Sequence, residues 1–105
     1  MRSLVGSEGR AAHLAEMLKA LGHPARLRIV ATLCAGDWTV GGLAERLALP
    51  QAIVSQQLRI LRMSGLVHAD RKQGFAHYRL AEPRLRQLVK CLEGCPSNKR
   101  GGGKG

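Results

Sequence analysis

The chain has 105 residues, which is enough for one compact domain with a modest core. It contains no run of about 18 apolar residues and no secretory leader, so we expect a cytoplasmic protein that does not span a membrane. Its formal net charge of +10 favours an anionic partner, and nucleic acid is the usual one.

Apolar residues recur at helical spacing through the first half of the chain. Leu14 and Leu18 lie one turn apart on the expected inner stripe of a first helix. Breaks at Gly22 and Gly36 separate this helix from its successors, and Pro24 suits the first turn of the second. We therefore predict three helices, over 8–21, 24–35 and 39–47.

The second half of the chain predicts a helix, a hairpin and a last helix. Val54, Leu58 and Leu61 form the inner stripe of the fourth helix, and Ser64-Gly65 ends it. Gln73-Gly74 is a turn signal between two apolar-rich runs that are typical of strands. We predict the fourth helix over 51–63, strands over 66–72 and 75–80, and a last helix from 83 to 94.

These elements predict a single domain over residues 1–95, mostly α-helical with one small hairpin. Residues 96–105 have nothing to bury, and we expect them to form a disordered basic tail. The set of nucleophile, base and orienting group that an enzyme needs is missing, so we expect a protein that is not an enzyme.

The third and fourth helices, joined by a short turn, form a helix-turn-helix unit whose second helix can enter the major groove of DNA. Gln56 can pair with adenine, Arg59 with guanine or a phosphate, and Ser55 with either. An ordinary solvated face is the alternative interpretation. Arg71 and Lys72 lie at the hairpin tip, as in a wing that contacts a flanking groove. The predicted DNA-binding residues are Gln51, Ala52, Ser55, Gln56, Arg59, Arg71 and Lys72.

Three segments, over 18–29, 54–67 and 70–80, resemble the arsenical-repressor (ArsR) family of metal- and redox-sensing winged-helix regulators. The resemblance implies a winged helix-turn-helix fold with the element order helix, helix, helix, helix, strand, strand, helix. It also implies a homodimer joined by the first and last helices, which leaves a pseudo-palindromic operator in double-stranded DNA when a ligand binds. Pro50 stands where this family usually has a serine, and Gln56 and Gln57 stand where it has histidines.

Two of the ligand sites known in this family are absent from the sequence. Thr39-Val40-Gly41 occupies the position of a Cys-x-Cys pair at the start of the third helix. Glu82-Pro83-Arg84 occupies the start of the last helix, where the zinc-binding members carry aspartate and histidine, and no histidine follows. The cysteines of the chain are therefore the remaining candidates for a sensor site.

The chain has three cysteines, an odd number that does not suggest a disulfide framework. Cys91 and Cys95 are spaced i, i+4, so two thiolates on one helix face can bind one soft ion. Cys34, or a cysteine of a second chain, would complete a three-sulfur site for As(III) or another thiophilic metal(loid). We expect no required cofactor, only such an inducer.

Two alternatives for the cysteines stay open. Cys34 with a cysteine of the last helix resembles the persulfide- and oxidant-sensing branch of the family, although that branch places the first cysteine at the position of Ala31. Cys34 can also be a small buried apolar residue without a sensing role. In that case the chain is a DNA-binding protein that does not respond to thiol-seeking ligands.

Overall fold

The structure, a computed structural model, describes residues 4–94. Five helices and a two-stranded antiparallel sheet follow one another in the predicted order. The elements are α1 (Glu8–Leu21), α2 (Pro24–Leu33), α3 (Val40–Leu47), α4 (Gln51–Met63), β1 (Val67–Lys72), β2 (Phe75–Leu80) and α5 (Arg84–Glu93). Cys95 and the expected tail at 96–105 lie outside the described residues.

Side-chain caps explain where the first three helices begin. Ser7 Oγ accepts from the Arg10 N–H, His23 Nδ1 from the Ala25 N–H, and Thr39 Oγ1 from the Gly42 N–H. Each cap satisfies a backbone donor that has no partner within the first turn of its helix. Helix α2 ends at Leu33, earlier than predicted, and Cys34 is its C-cap.

The core lies where α2 packs against the helix-turn-helix unit and the hairpin. Ile29, Leu33, Leu43 and Leu58 are fully buried there. The expected inner stripe of α1 is partly wrong, because Leu18 is 53% exposed and Leu14 is only half-buried. The buried residues of α1 are Met17, Ala20 and Leu21.

The hairpin closes through a turn in which Gln73 and Gly74 both have positive φ, at 53° and 85°. Such turns match the twist of the flanking strands. In the strand register His68 lies opposite Arg79 and His77 opposite Asp70. The two histidines therefore do not lie opposite each other across the strands.

The loop between α2 and α3 adds a third short segment to the hairpin. The Trp38 N–H donates to the Tyr78 carbonyl at 3.1 Å, and the Tyr78 N–H donates to the Trp38 carbonyl at 2.7 Å. The Trp38 ring packs on Gly42, where an added Cβ would lie 3.1 Å from the ring. Trp38 thus has a packing role, and it joins the start of α3 to β2.

Across residues 4–94, every helix is too short or too polar to cross a bilayer.

Candidate nucleic-acid interface and cysteine site

Helix α4 is held on its inner side by apolar packing and has no side-chain cap at its start. Val54, Leu58 and Leu61 are fully buried, as predicted. Pro50 occupies the N-cap position, where the family usually has a serine, and it makes no capping hydrogen bond to the first turn of α4. The predicted base-reading residues of α4 are all exposed on its outer side: Gln51, Ala52, Ser55, Gln56 and Arg59.

Gln57 differs from its neighbour Gln56, because it is buried with 8% of its surface exposed. Its Oε1 accepts a hydrogen bond at 3.1 Å from Arg26 Nη1 of α2. Of the two glutamines that follow Ser55, only Gln56 is therefore available to a base edge.

The predicted wing residues are both exposed at the hairpin tip. Arg71 lies opposite Ala76 in the register, and Lys72 lies opposite Phe75. Lys72 Nζ is 3.7 Å from Asp37 Oδ2, so the loop between α2 and α3 contacts the wing through charge as well as through the backbone. The hairpin tip thus presents exposed cations of the kind that contact a DNA backbone.

A groove between the end of α4 and the hairpin extends this basic surface. It encloses about 820 Å³ and its lining includes Arg62, His68 and Arg71. Sequence reasoning missed Arg62 and His68. The sequence did contain a signal for Arg62, because it lies one turn after Arg59 on the same side of an amphipathic helix.

Cys34 lies half-buried at the junction of α2 and α5. Arg86 Nε donates a hydrogen bond at 3.2 Å to the Cys34 carbonyl oxygen. A cavity of about 420 Å³ opens beside the thiol, and its lining includes Arg86, Lys90 and Glu93 of α5 and Ala31 of α2. The thiol therefore faces a small, mixed-charge cavity between two helices.

Opposing effects act on the protonation of Cys34. Burial raises the pKa of the thiol, the Arg86 guanidinium lowers it, and the Glu93 carboxylate raises it further. The net effect raises the pKa, so a smaller fraction of Cys34 is thiolate at neutral pH than for an exposed thiol.

Cys91 is exposed on α5 and is not part of the cavity beside Cys34. Within residues 4–94, no group of three or more His, Cys, Asp or Glu side chains is arranged to hold a metal ion. The predicted set of Cys91, Cys95 and Cys34 is not decided by this finding, because Cys95 lies outside the described residues.

Apolar side chains remain exposed on the helices that flank the winged core. Leu18 of α1, Leu27 of α2 and Leu92 of α5 are 53%, 39% and 49% exposed. Leu14 and Leu88 are only partly buried against the core. These exposed apolar side chains belong to α1, α2 and α5.

Comparison with known proteins identifies relatives of the whole described unit. Residues 23–69 match the model of the bacterial regulatory protein, arsR family. The biofilm growth-associated repressor of Xylella fastidiosa is 44% identical over 85 residues, which cover 81% of this chain and 75% of the relative.

Solved structures give the same result for the fold. The crystal structure of the transcriptional repressor BigR from Xylella fastidiosa has a TM-score of 0.81 and 39% identity, covering 91% of this chain and all (100%) of the other. The homodimeric winged helix-turn-helix DNA-binding domain of Mb0332 from Mycobacterium bovis has a TM-score of 0.71 and 28% identity, covering 84% and 85%.

Proposed function

Because the chain belongs to the ArsR family of bacterial regulatory proteins and is a transcriptional repressor, we propose that it binds its operator through α4 and the wing. The family consists of DNA-binding regulators, which confirms that the chain is not an enzyme. The observation that supports this interface most is the exposure of Ser55, Gln56 and Arg59 on the outer face of α4, together with the exposed cations of the wing. In this proposal α4 reads bases, and Arg71 and Lys72 contact phosphates.

The exposed apolar surface of α1 and α5 supports a homodimer joined by these helices. A domain this small buries limited surface by itself, and Leu18 and Leu92 would be covered by the same residues of a second copy. The homodimeric relative Mb0332 has the same fold. Two copies would present two α4 helices to the half-sites of a pseudo-palindromic operator.

We propose further that a thiol-seeking ligand releases the repressor from DNA. One inducer is As(III) or a similar metal(loid), bound by Cys91 and Cys95 with Cys34 or a cysteine of the second copy. The exposure of Cys91 near the end of α5 supports this, since the thiol is open to an incoming ion. A bond at the end of α5 would change the dimer geometry, and with it the spacing of the two α4 helices.

A second inducer class is favoured by the cavity beside Cys34. The cavity lining carries two cations, Arg86 and Lys90, against the one carboxylate of Glu93, and this positive balance suits an anionic reagent such as a polysulfide. The Cys34 thiolate would attack a sulfane sulfur, a new S–S bond would form at Cys34, and the shortened polysulfide would leave with the electron pair.

A titration of the gene's own promoter separates these proposals. Binding of the wild type should exceed binding to scrambled DNA of equal length, and a failure to do so would disprove operator recognition. Adding As(III), Cd(II), Zn(II) and polysulfide in turn then tests release. The Cys91→Ser/Cys95→Ser variant should lose the response to As(III), and Cys34→Ser should lose the response to polysulfide. Normal release of both variants by every reagent would show that the cysteines are structural.

A further inference from the structure

Two arginines of α2 each donate a hydrogen bond to one helix of the helix-turn-helix unit. Arg26 Nη1 donates to Gln57 Oε1 in the middle of α4 at 3.1 Å. Arg28 Nη2 donates to the Leu47 carbonyl at the end of α3 at 3.0 Å. The side chains leave α2 two residues apart and reach both sides of the turn that sets the angle between α3 and α4.

The contact with Gln57 is unusual because the rest of the inner side of α4 is apolar. Among the described residues, Gln57 is the only buried polar side chain. Packing of Val54, Leu58 and Leu61 is non-directional, so it allows small rotations of the helix about its axis. A hydrogen bond from a guanidinium has a preferred direction and resists them.

Backbone hydrogen bonds close the end of α3, where the Leu49 N–H donates to the Ala44 carbonyl at 3.0 Å, but side-chain anchors at the turn are few. Helix α4 starts at Pro50 without a capping side chain. Ala48, the C-cap of α3, adopts the left-handed region with φ 57°, which is unfavourable for a residue with a Cβ. The carbonyl that Arg28 binds is one of those left without a partner at a helix C-terminus. The two arginines therefore add side-chain hydrogen bonds on both sides of a turn that is otherwise held by its backbone.

We propose that Arg26 and Arg28 are positioning residues for operator recognition: they set the rotation of α4 and its angle to α3, and so determine which side chains meet the bases. The proposal rests on the proposed function, since it assumes that α4 reads DNA. Neither arginine needs to contact DNA for this role. Arg26 is half-buried and directed to Gln57, and its Nε is buried without a hydrogen-bond partner.

The test compares the ratio of operator to non-specific affinity, measured by fluorescence anisotropy at several salt concentrations. The Arg26→Met/Gln57→Leu variant replaces both partners by apolar side chains, so no polar group is left unpaired by the change. We expect the ratio to fall about tenfold, the order of one hydrogen bond to a charged group. The slope of affinity against salt should stay as in the wild type, because no phosphate contact is lost.

Three more variants make the test specific to positioning. Gln57→Glu keeps an acceptor for Arg26 and should retain the wild-type ratio, while Arg28→Met should lower it. Arg84→Met removes one exposed cation of α5, which is paired with Glu82 and bonds neither α3 nor α4, and should leave the ratio unchanged. Circular dichroism at the assay temperature confirms that each variant is folded.

An unchanged ratio in both Arg26→Met/Gln57→Leu and Arg28→Met would overturn the proposal. A salt slope that is lower by about one in Arg28→Met would identify a phosphate contact in place of a positioning role. A wild type without preference for its promoter is a different result, because it removes the premise that α4 reads the operator.

Discussion

Lys72 Nζ lies 3.7 Å from Asp37 Oδ2, an ion pair between the wing and the loop that follows Cys34. Both side chains are largely exposed, so the pair contributes about 1 kcal/mol or less to stability. Its greater consequence concerns the proposed DNA contact, since a phosphate would compete with the Asp37 carboxylate for the same ammonium group.

Replacing Asp37 should therefore strengthen DNA binding. In Asp37→Asn the Lys72 ammonium is free for a phosphate, and we expect an affinity gain of about twofold to fivefold, within the range of a surface ion pair. The gain should shrink as salt rises. Glu16→Gln on α1 changes the net charge equally and serves as the control in the same anisotropy titration. Equal gains in the two variants would show that only net charge matters.

Arg59 and Arg71 should differ in how they affect binding. Arg59→Ala should cost about 1–3 kcal/mol on the operator and much less on scrambled DNA, because it removes a base contact. Arg71→Ala should weaken binding to both DNAs alike and lower the salt slope by about one. Arg84→Ala is the control for loss of a cation. The assignment of groove and wing is wrong if neither variant departs from that control.

A charge in the exposed apolar surface should separate the dimer. Leu92 is 49% exposed in the single chain, so Leu92→Asp leaves the core packed while placing a carboxylate in the proposed interface. Light scattering after gel filtration should show the mass of one chain, and operator affinity should fall with it. Phe75→Asp, at the hairpin tip, should keep the dimer mass. A wild type that is monomeric at micromolar concentration would contradict the proposed dimer.

The reactivity of Cys34 should depend on its charged neighbours. Thiolate is the nucleophile, and burial raises the pKa of Cys34, so its alkylation by iodoacetamide should be slow at neutral pH and accelerate as pH rises. Arg86→Gln removes the cation that lowers the pKa and should slow the reaction. Glu93→Gln removes a carboxylate that raises the pKa and should accelerate it.

Mass spectrometry after timed labelling gives these rates for Cys34 separately from the exposed Cys91. Arg84→Gln, at an arginine that is not among the charges acting on Cys34, is the matched control. Identical rates in Arg86→Gln and Glu93→Gln would show that the two side chains do not control this thiol.

Local signals in the sequence were sufficient for the element order and for the outer face of α4. Pro50 and Ser64-Gly65 bound that helix, and the period of its apolar residues separates an inner from an outer side. The exposure of Leu18 did not follow from the period, because an apolar stripe looks the same whether it packs against its own core or remains on the surface.

The contacts that give Gln57 and Cys34 their surroundings come from distant parts of the chain. Gln57 meets a side chain 31 positions earlier, and Cys34 meets one 52 positions later. No local pattern indicates such pairs, because they depend on how α2 packs against α4 and α5. The sequence therefore indicated Gln57 only as a departure from the family pattern, and only the structure places Arg86 beside Cys34.

Trp38 is the single tryptophan of the chain, and its backbone is paired with Tyr78 of β2. It is four residues from Cys34, and its ring covers Gly42 at the start of the helix-turn-helix unit. Trp38 is thus an intrinsic fluorophore between the Cys34 thiol and the DNA-binding elements. Its indole emission is a label-free signal of whether a reagent at Cys34 disturbs the wing, and it can be followed in stopped-flow mixing without any added dye.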